Sequence, residues 1–397
     1  MKILLVTDTY RPRINGVVTS IDTFANEYRK LGHECVVVAP EFPERRHVDH
    51  RAEDDIAEKH VIRIKSDYLF FDPEDRLPAP WRDRKKINEL ILQQKFDIIH
   101  TQTPFTLGID AIKWAKAMKC PIVHTYHTMF ESYVHYFSFL PKKAGLWLAK
   151  AISKWYCNKM DLNITPSTQM KDLLVSYDVK VPVEVNPTGI KMDKFKTFSR
   201  ADFRKKYEIP EDTLLFLFMG RVGHEKNIPF LFKVLKEILK TRKNTKLIVA
   251  GKGPAEESVK AAAIAEGVSD NVIYLGYFEP QDWVNCYAAA DLFTFASVTE
   301  TQGLVVTEAM AVGTPVVAVG EMGVAEVMAG DKGGLLVKHD LKEFVAAVER
   351  MLTDKALYEA KKKEAFVYAQ EWSAESMAKK MLSRYQAAID KKKASAK

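Results

Sequence analysis

Two glutamates eight positions apart, Glu300 and Glu308, flank a glycine in the run Glu300-Thr301-Gln302-Gly303-Leu304-Val305-Val306-Thr307-Glu308. Read as a loop followed by the helix that Gly303 admits, the run sets both carboxylates on the same side as the free N–H groups of a helix start, near Gly303 to Val305. Carboxylates accept two hydroxyl hydrogen bonds in fixed geometry, so such a pair suits sugars. A second run, Gly220-Arg221-Val222-Gly223-His224-Glu225-Lys226-Asn227, is glycine-rich with two cations five apart and suits phosphate. Gly16 stands just before a stretch of helical periodicity, and His127 follows the apolar run Ile122 to Tyr126. There is no Asp-x-Asp triplet to carry a divalent cation. A catalytic metal is therefore not expected, because cations and helix-terminal N–H groups can do the same electrostatic work.

The elements that must hold these residues are legible from periodicity. Apolar runs bounded by turn residues alternate with helical spacing along the chain, the pattern of a parallel sheet covered by helices, so the class is α/β. Strands are expected over Lys2–Thr7, Val36–Ala39, Val61–Ile64, Asp97–His100, Ile122–Tyr126, Leu162–Thr165 and Val183–Val185. A second series covers Leu214–Met219, Lys246–Ala250, Val272–Leu275, Asp291–Ala296 and Pro315–Val319. Val17, Ile21, Phe24, Tyr28 and Leu31 mark a helix that Gly32 should stop, and Pro229 stands near the start of another. The tail from about Thr353 reads as helix and ends in Lys391-Lys392-Lys393, expected to fray. Taken singly, a glycine turn, a loop histidine or two glutamates are commonplace. Here each falls at the carboxyl end of an expected strand, where open parallel sheets bind ligands.

With 397 residues the chain exceeds twice the ~150 that make one domain, so two are expected. The first spans 1–190, with room for a C-terminal helix of about 375–397 to pack back on it. The second spans 191–374, and the charged, turn-rich stretch Lys191 to Asp212 reads as the linker. Apolar residues at 47% and charged residues at 28% exclude a disordered or collagenous chain. No apolar run approaches the ~18 residues that span a bilayer, and Met1 to Val6 is too short for a signal h-region, so a cytoplasmic location is expected. The four cysteines lie far apart with no Cys-x-x-Cys pair, and are expected reduced and mostly buried.

The combination of Glu300…Glu308, the Gly-Arg…Glu-Lys-Asn loop and the early Asn15-Gly16-Val17 resembles the GT-B glycosyltransferases of family 4, over nearly the whole chain. These enzymes transfer a sugar from a nucleotide diphosphate with retention of configuration. The resemblance implies two Rossmann-like doubly wound domains facing across a cleft. It implies Arg221 and Lys226 on the diphosphate, Glu308 on the ribose hydroxyls, Glu300 on the transferred hexose and His127 beside that hexose in the acceptor half. Gly16, Gly303 and Leu304 complete the donor set, Gly16 because its backbone can be approached without a Cβ in the way. The nucleotide sugar is then a substrate, and no separate cofactor is implied. Family members commonly carry an acid where Lys252 stands in Gly251-Lys252-Gly253-Pro254, so Lys252 receives no role. The chain offers no clear nucleophile for a double displacement. The resemblance favours a front-face reaction in which the leaving phosphate takes the acceptor proton.

The net charge of +7 is unevenly placed: Lys113 to Lys159 holds eight lysines, no arginine and one acid, Glu131. In Tyr126 to Leu140, six of fifteen residues are aromatic, against 11% in the whole chain. Aromatics beside lysines suit a membrane interface with anionic headgroups. The surface would include Phe130, Tyr133, Tyr136, Phe137, Lys142, Lys143, Trp147 and Lys150. The segment His127 to Tyr136 also resembles the acceptor region of bacterial 1,2-diacylglycerol 3-alpha-glucosyltransferases. That resemblance implies glucose transfer from UDP-glucose to diacylglycerol, by a protein peripherally bound to the inner face of the cell membrane. Aromatics that pack the core, with solvated lysines, would instead indicate a soluble acceptor. A nucleotide-sugar epimerase shares the fold type but needs no acceptor, and the glutamate pair argues against it. A nucleic-acid-binding module would explain the lysines and not the glutamates, so no nucleic-acid partner is expected.

Overall fold

The computed structural model describes residues 1–13, 15–42, 59–69, 72–79, 82–127, 142–276, 278 and 280–395. They form two compact units: Met1–Gly189 together with Ala374–Lys397, and Ile190–Ser373.

In the first unit the strands are β1 (Lys2–Val6), β2 (Glu34–Pro40), β3 (Val61–Ile64), β4 (Ser66–Leu69), β5 (Asp72–Pro78), β6 (Ile98–Thr101), β7 (Ile122–Thr125), β8 (Leu162–Thr165) and β9 (Val183–Val185). Seven of them make one sheet in the order β3-β2-β1-β6-β7-β8-β9, and every pairing in it is parallel. β4 and β5 form a separate antiparallel pair that periodicity did not disclose. β6, β7 and β8 are buried throughout, as expected where helices cover both faces. The first helix, Gly16–Lys30, is capped by Asn15, whose side chain accepts from the Val18 amide at 2.9 Å. It ends as read, one residue short of a left-handed position that Gly32 occupies at φ 82.

The second unit holds β10 (Leu214–Met219), β11 (Thr245–Ala250), β12 (Val272–Leu275), β13 (Leu292–Phe295), β14 (Val316–Val319) and β15 (Gly334–Val337). Their order is β12-β11-β10-β13-β14-β15, all parallel, which is the doubly wound arrangement. The chain builds outward from β10 to one side and then returns to build β13 on the other, so the loops after β10 and β13 emerge side by side. That is the switch point at which such sheets take ligands.

Two expectations are corrected. The stretch Lys191 to Asp212 is no linker but part of the second unit. It carries the helix Arg200–Lys206, it sends Phe195, Phe203 and Ile209 into the core, and its Arg204 is 1% exposed. Arg204 donates to Ala289 O, Pro210 O and Thr213 O and pairs with Asp291 at 3.1 Å, so the buried guanidinium is fully satisfied. The lysine-rich tail does not fray within the described residues: the helix Ala374–Ser395 includes Lys391–Lys393, and Lys392 binds Asp161. In this helix Tyr385 is buried against the first unit, its hydroxyl bonded to Tyr28 and His100, and His100 in turn to Thr125 at 2.7 Å. All four cysteines are free and buried, as read.

Candidate functional site

Apart from Gly16, the donor-side candidates belong to the second unit, on the loop that follows β10 and on the loop and helix that follow β13. Lys226 and Glu300 form an ion pair, with side chains 18% and 17% exposed. The family resemblance implies separate ligand groups for the two. In the structure each is the other's partner, and removing either leaves a largely buried charge uncompensated. Arg221 is half exposed and donates to Glu225 at 2.9 Å. The two loops are also stitched by the backbone: the Ser297 hydroxyl donates to Glu225 O at 3.2 Å, and Asn227 Nδ2 donates to Ala296 O at 3.3 Å.

Gly303 opens the helix Leu304–Ala311 at φ 78, a conformation that an L side chain adopts only under strain. No side chain caps this helix. Its first turn therefore offers backbone N–H groups and a partial positive charge to an anion. Leu304 and Glu308 are one turn apart and share a face, each partly exposed while Val306 and Thr307 are buried. Glu308 accepts from the hydroxyl of Tyr287, a fully buried residue of the helix Pro280–Ala289, at 2.7 Å. Burial pushes the Glu308 carboxyl up to about 7, against the lowering effects of the Tyr287 hydrogen bond and the Lys194 charge. Such a carboxylate is poised to be completed by further donors, and sugar hydroxyls are donors of that kind.

The loop that carries Glu300 rests on Gly323. The Gly323 amide donates to Glu300 O at 2.8 Å, and a Cβ there would stand 2.4 Å from Gln302 Cα and 2.6 Å from Thr301 C. Both are backbone atoms, so the loop itself must yield. Gly323→Ala is expected to cost about 1–3 kcal/mol in thermal or urea unfolding. Its effect on kcat should be about tenfold, because small displacements of positioned groups are felt strongly in rate. Unchanged stability and kinetics would show that the loop is not held there. Beside the same switch point, Val222, Gly251, Lys252, Glu256 and Tyr274 line a cavity of about 210 Å³. The Lys252 side chain runs along its edge over Gly276.

His127 and Gly16 belong to the first unit. A Cβ on Gly16 would meet nothing within 4 Å in the protein itself. His127 follows β7, and its Nε2 lies 2.7 Å from Gln102 Oε1 at the end of the neighbouring β6. Burial drives this imidazole down to about 4, so it is neutral at physiological pH and donates through Nε2–H. Asp8, after β1, is buried and accepts from the hydroxyls of Thr103 and Thr106 and from the Leu107 amide. Desolvation outweighs those bonds and raises its carboxyl above the ordinary value. It ties the end of β1 to the loop that presents Gln102.

Phe130, Tyr133, Tyr136 and Phe137 lie outside the described residues, as does the side chain of Lys142. The helix Lys142–Cys157 exposes two adjoining stripes: Lys143, Trp147, Lys150 and Lys154, and beside them Leu148, Ile152 and Trp155. Trp147 is 71% exposed and Trp155 49%. Two of the lysines are engaged within the protein, Lys154 with Asp178 at 2.8 Å and Lys150 over the Tyr177 ring. No described helix is long and apolar enough to cross a membrane, and among the described residues no His, Cys, Asp or Glu cluster could hold a metal ion.

Gln102, Tyr287 and Gly323 were not found from the sequence. Each acts through a partner 21 to 25 positions away, and only the hydrogen-bonding need of a buried tyrosine hydroxyl could have hinted at one of them.

Residues 199–370 match the family model described as glycosyl transferases group 1, and residues 14–194 match glycosyltransferase family 4. The chain is 37% identical over 352 residues to an alpha-monoglucosyldiacylglycerol synthase of Streptococcus pneumoniae, covering 86% of this chain and 76% of that one. The chain belongs to the GT-B glycosyltransferases of family 4. A synthase of the same name from Acholeplasma laidlawii is 28% identical over 80% of each chain. Among solved structures, the Anabaena protein Alr3699/HepE in complex with UDP-glucose superposes with a TM-score of 0.73 at 17% identity, over 98% of this chain and all of that one. This GT-B member is thus a hexosyltransferase with two Rossmann-like domains, and the sequence reading of its class and fold stands.

Proposed function

We propose that the protein transfers glucose from UDP-glucose to the 3-hydroxyl of diacylglycerol with retention, giving an α-glucosyl lipid at the inner surface of the cell membrane. The observation that carries this reading is the 37% identity, across most of both chains, to a protein named for that product. The ion-paired Lys226 and Glu300 at the switch point support the donor half of it.

In this reading Arg221, Lys226 and the amides that follow Gly303 take the diphosphate, Glu308 the ribose hydroxyls and Glu300 the hexose. The bond from the anomeric carbon to the phosphate oxygen breaks while that carbon accepts the lipid hydroxyl on the same face. The acceptor proton passes to the departing phosphate oxygen. Negative charge grows on the diphosphate as this happens, and preorganised cations and helix dipoles are most effective where charge develops. His127 is neutral and contributes a hydrogen bond rather than a charge. Gly16, at the first turn of its helix, leaves the backbone open to a ligand.

The test is to incubate the protein with radiolabelled UDP-glucose, UDP-galactose or GDP-mannose and vesicles that contain diacylglycerol. Label should enter the organic phase from UDP-glucose alone, as a single monoglucosyl lipid with an α anomeric proton signal. Label confined to a water-soluble product, or transferred from a different donor, overturns the reading.

Membrane docking in this reading leans on rings more than on charge, because Lys150 and Lys154 already have partners. Each lysine near an anionic surface contributes only ~1 kcal/mol, whereas an inserted tryptophan brings its whole apolar area. Replacing Trp147 and Trp155 together by serine should weaken cosedimentation with anionic vesicles about tenfold or more, with little change in stability, since both side chains are exposed. Equal binding by the variant would remove this helix from the docking surface.

A further inference from the structure

The residue that follows Lys226 is held by a side chain from the far edge of the same sheet. Asn227 adopts φ 52, and its Nδ2 donates both to Ala296 O, just past β13, and to His339 Nε2 at 2.9 Å. An amide nitrogen is only a donor, so His339 presents Nε2 as an unprotonated acceptor and carries its hydrogen on Nδ1. His339 lies two residues beyond β15, and its ring packs on Phe230 of the helix Ile228–Ile238 with centroids 4.7 Å apart. The short turn His224–Lys226 leads directly into Asn227, so fixing that amide fixes where the Lys226 stem begins.

We propose that His339 is a positioning residue for sugar transfer. Through its acceptor nitrogen it clamps Asn227 between the ends of β13 and β15, and so aims the Lys226 ammonium at the leaving diphosphate. The proposal rests on the reading of Lys226 as the diphosphate cation. It assigns His339 no contact with substrate.

The test separates the ring from the acceptor. His339→Phe keeps a ring against Phe230 and loses the acceptor. His339→Gln loses the ring and keeps an oxygen that can accept from Asn227. His339→Phe should lower kcat about tenfold, His339→Gln should stay within about threefold of the parent, and both should melt within about 3 °C of it. Asn227→Gly keeps the left-handed backbone and removes the amide. In that background His339→Phe should cost less than about twofold more, since the clamp is already gone. A His339→Phe enzyme at the parent rate, a His339→Gln enzyme as slow as His339→Phe, or additive effects with Asn227→Gly would each overturn the proposal. Lys226→Ala measured alongside keeps the two readings apart. If that variant retains full activity, the role of Lys226 fails; if it is inactive while His339→Phe is normal, only the role of His339 fails.

Discussion

Replacing Lys226 by alanine is expected to lower kcat for sugar transfer by about a hundredfold, the loss of ~3 kcal/mol that follows removal of one preorganised group facing a developing anion. A second effect adds to it. Glu300 is only 17% exposed and would lose its counter-charge, so the side chain proposed to orient the hexose would be left uncompensated. Lys226→Arg should recover part of the rate, because it restores the charge without the same reach. The two residues act as a unit, and the double variant Lys226→Ala/Glu300→Ala should fall well short of the product of the single losses. Steady-state kinetics of the four proteins checks this. A Lys226→Ala enzyme within threefold of the parent would show that the cation at the switch point does not meet the leaving group.

The second large effect is expected at Glu308 and is read against pH. Burial pushes this carboxyl up to about 7, so its charge changes around neutral pH. Ribose hydroxyls donate best to the ionised form. Donor KM should therefore be lowest well above pH 7 and rise up to about tenfold per unit as pH falls below that value, before levelling off. Glu308→Gln should flatten this dependence and raise donor KM at pH 8 by about 10- to 100-fold, the worth of charge-assisted hydrogen bonds. Stability should run the other way. The folded value lies above the ordinary carboxyl value of 4.5, so ionising Glu308 in the folded protein costs stability that is intact below about 4.5 and lost as pH rises through about 7. Glu308→Gln keeps an acceptor for the Tyr287 hydroxyl and should be more stable than the parent at pH 8, by at most ~3 kcal/mol. A pH-independent donor KM in the parent would remove Glu308 from the ribose.

The class of the protein and most of its strands were readable because the signals are local. A buried parallel strand is a short apolar run, a helix is a 3.6-residue period, and Gly32 or Pro229 punctuates its neighbours whatever the rest of the chain does. The one-residue differences, such as β6 at Ile98–Thr101 rather than Asp97–His100, lie within the ordinary imprecision of element ends. The errors came where a segment is charged yet packed. Lys191 to Asp212 looks like a linker by composition, and only the carbonyls that gather around Arg204 explain how such a sequence is buried.

For the candidate site the division is sharper. Sequence alone determined which residue types sit at strand ends: Arg221 and Lys226 after β10, Glu300 and Glu308 around Gly303 after β13, and His127 after β7. What only the tertiary structure decided is who holds whom: Lys226 with Glu300, Glu308 with Tyr287, His127 with Gln102, and Asn227 with His339. Strand order is the physical reason. The sheet sets β10 beside β13 although Lys226 and Glu300 are 74 residues apart, and sequence periodicity carries no record of which strand lies next to which.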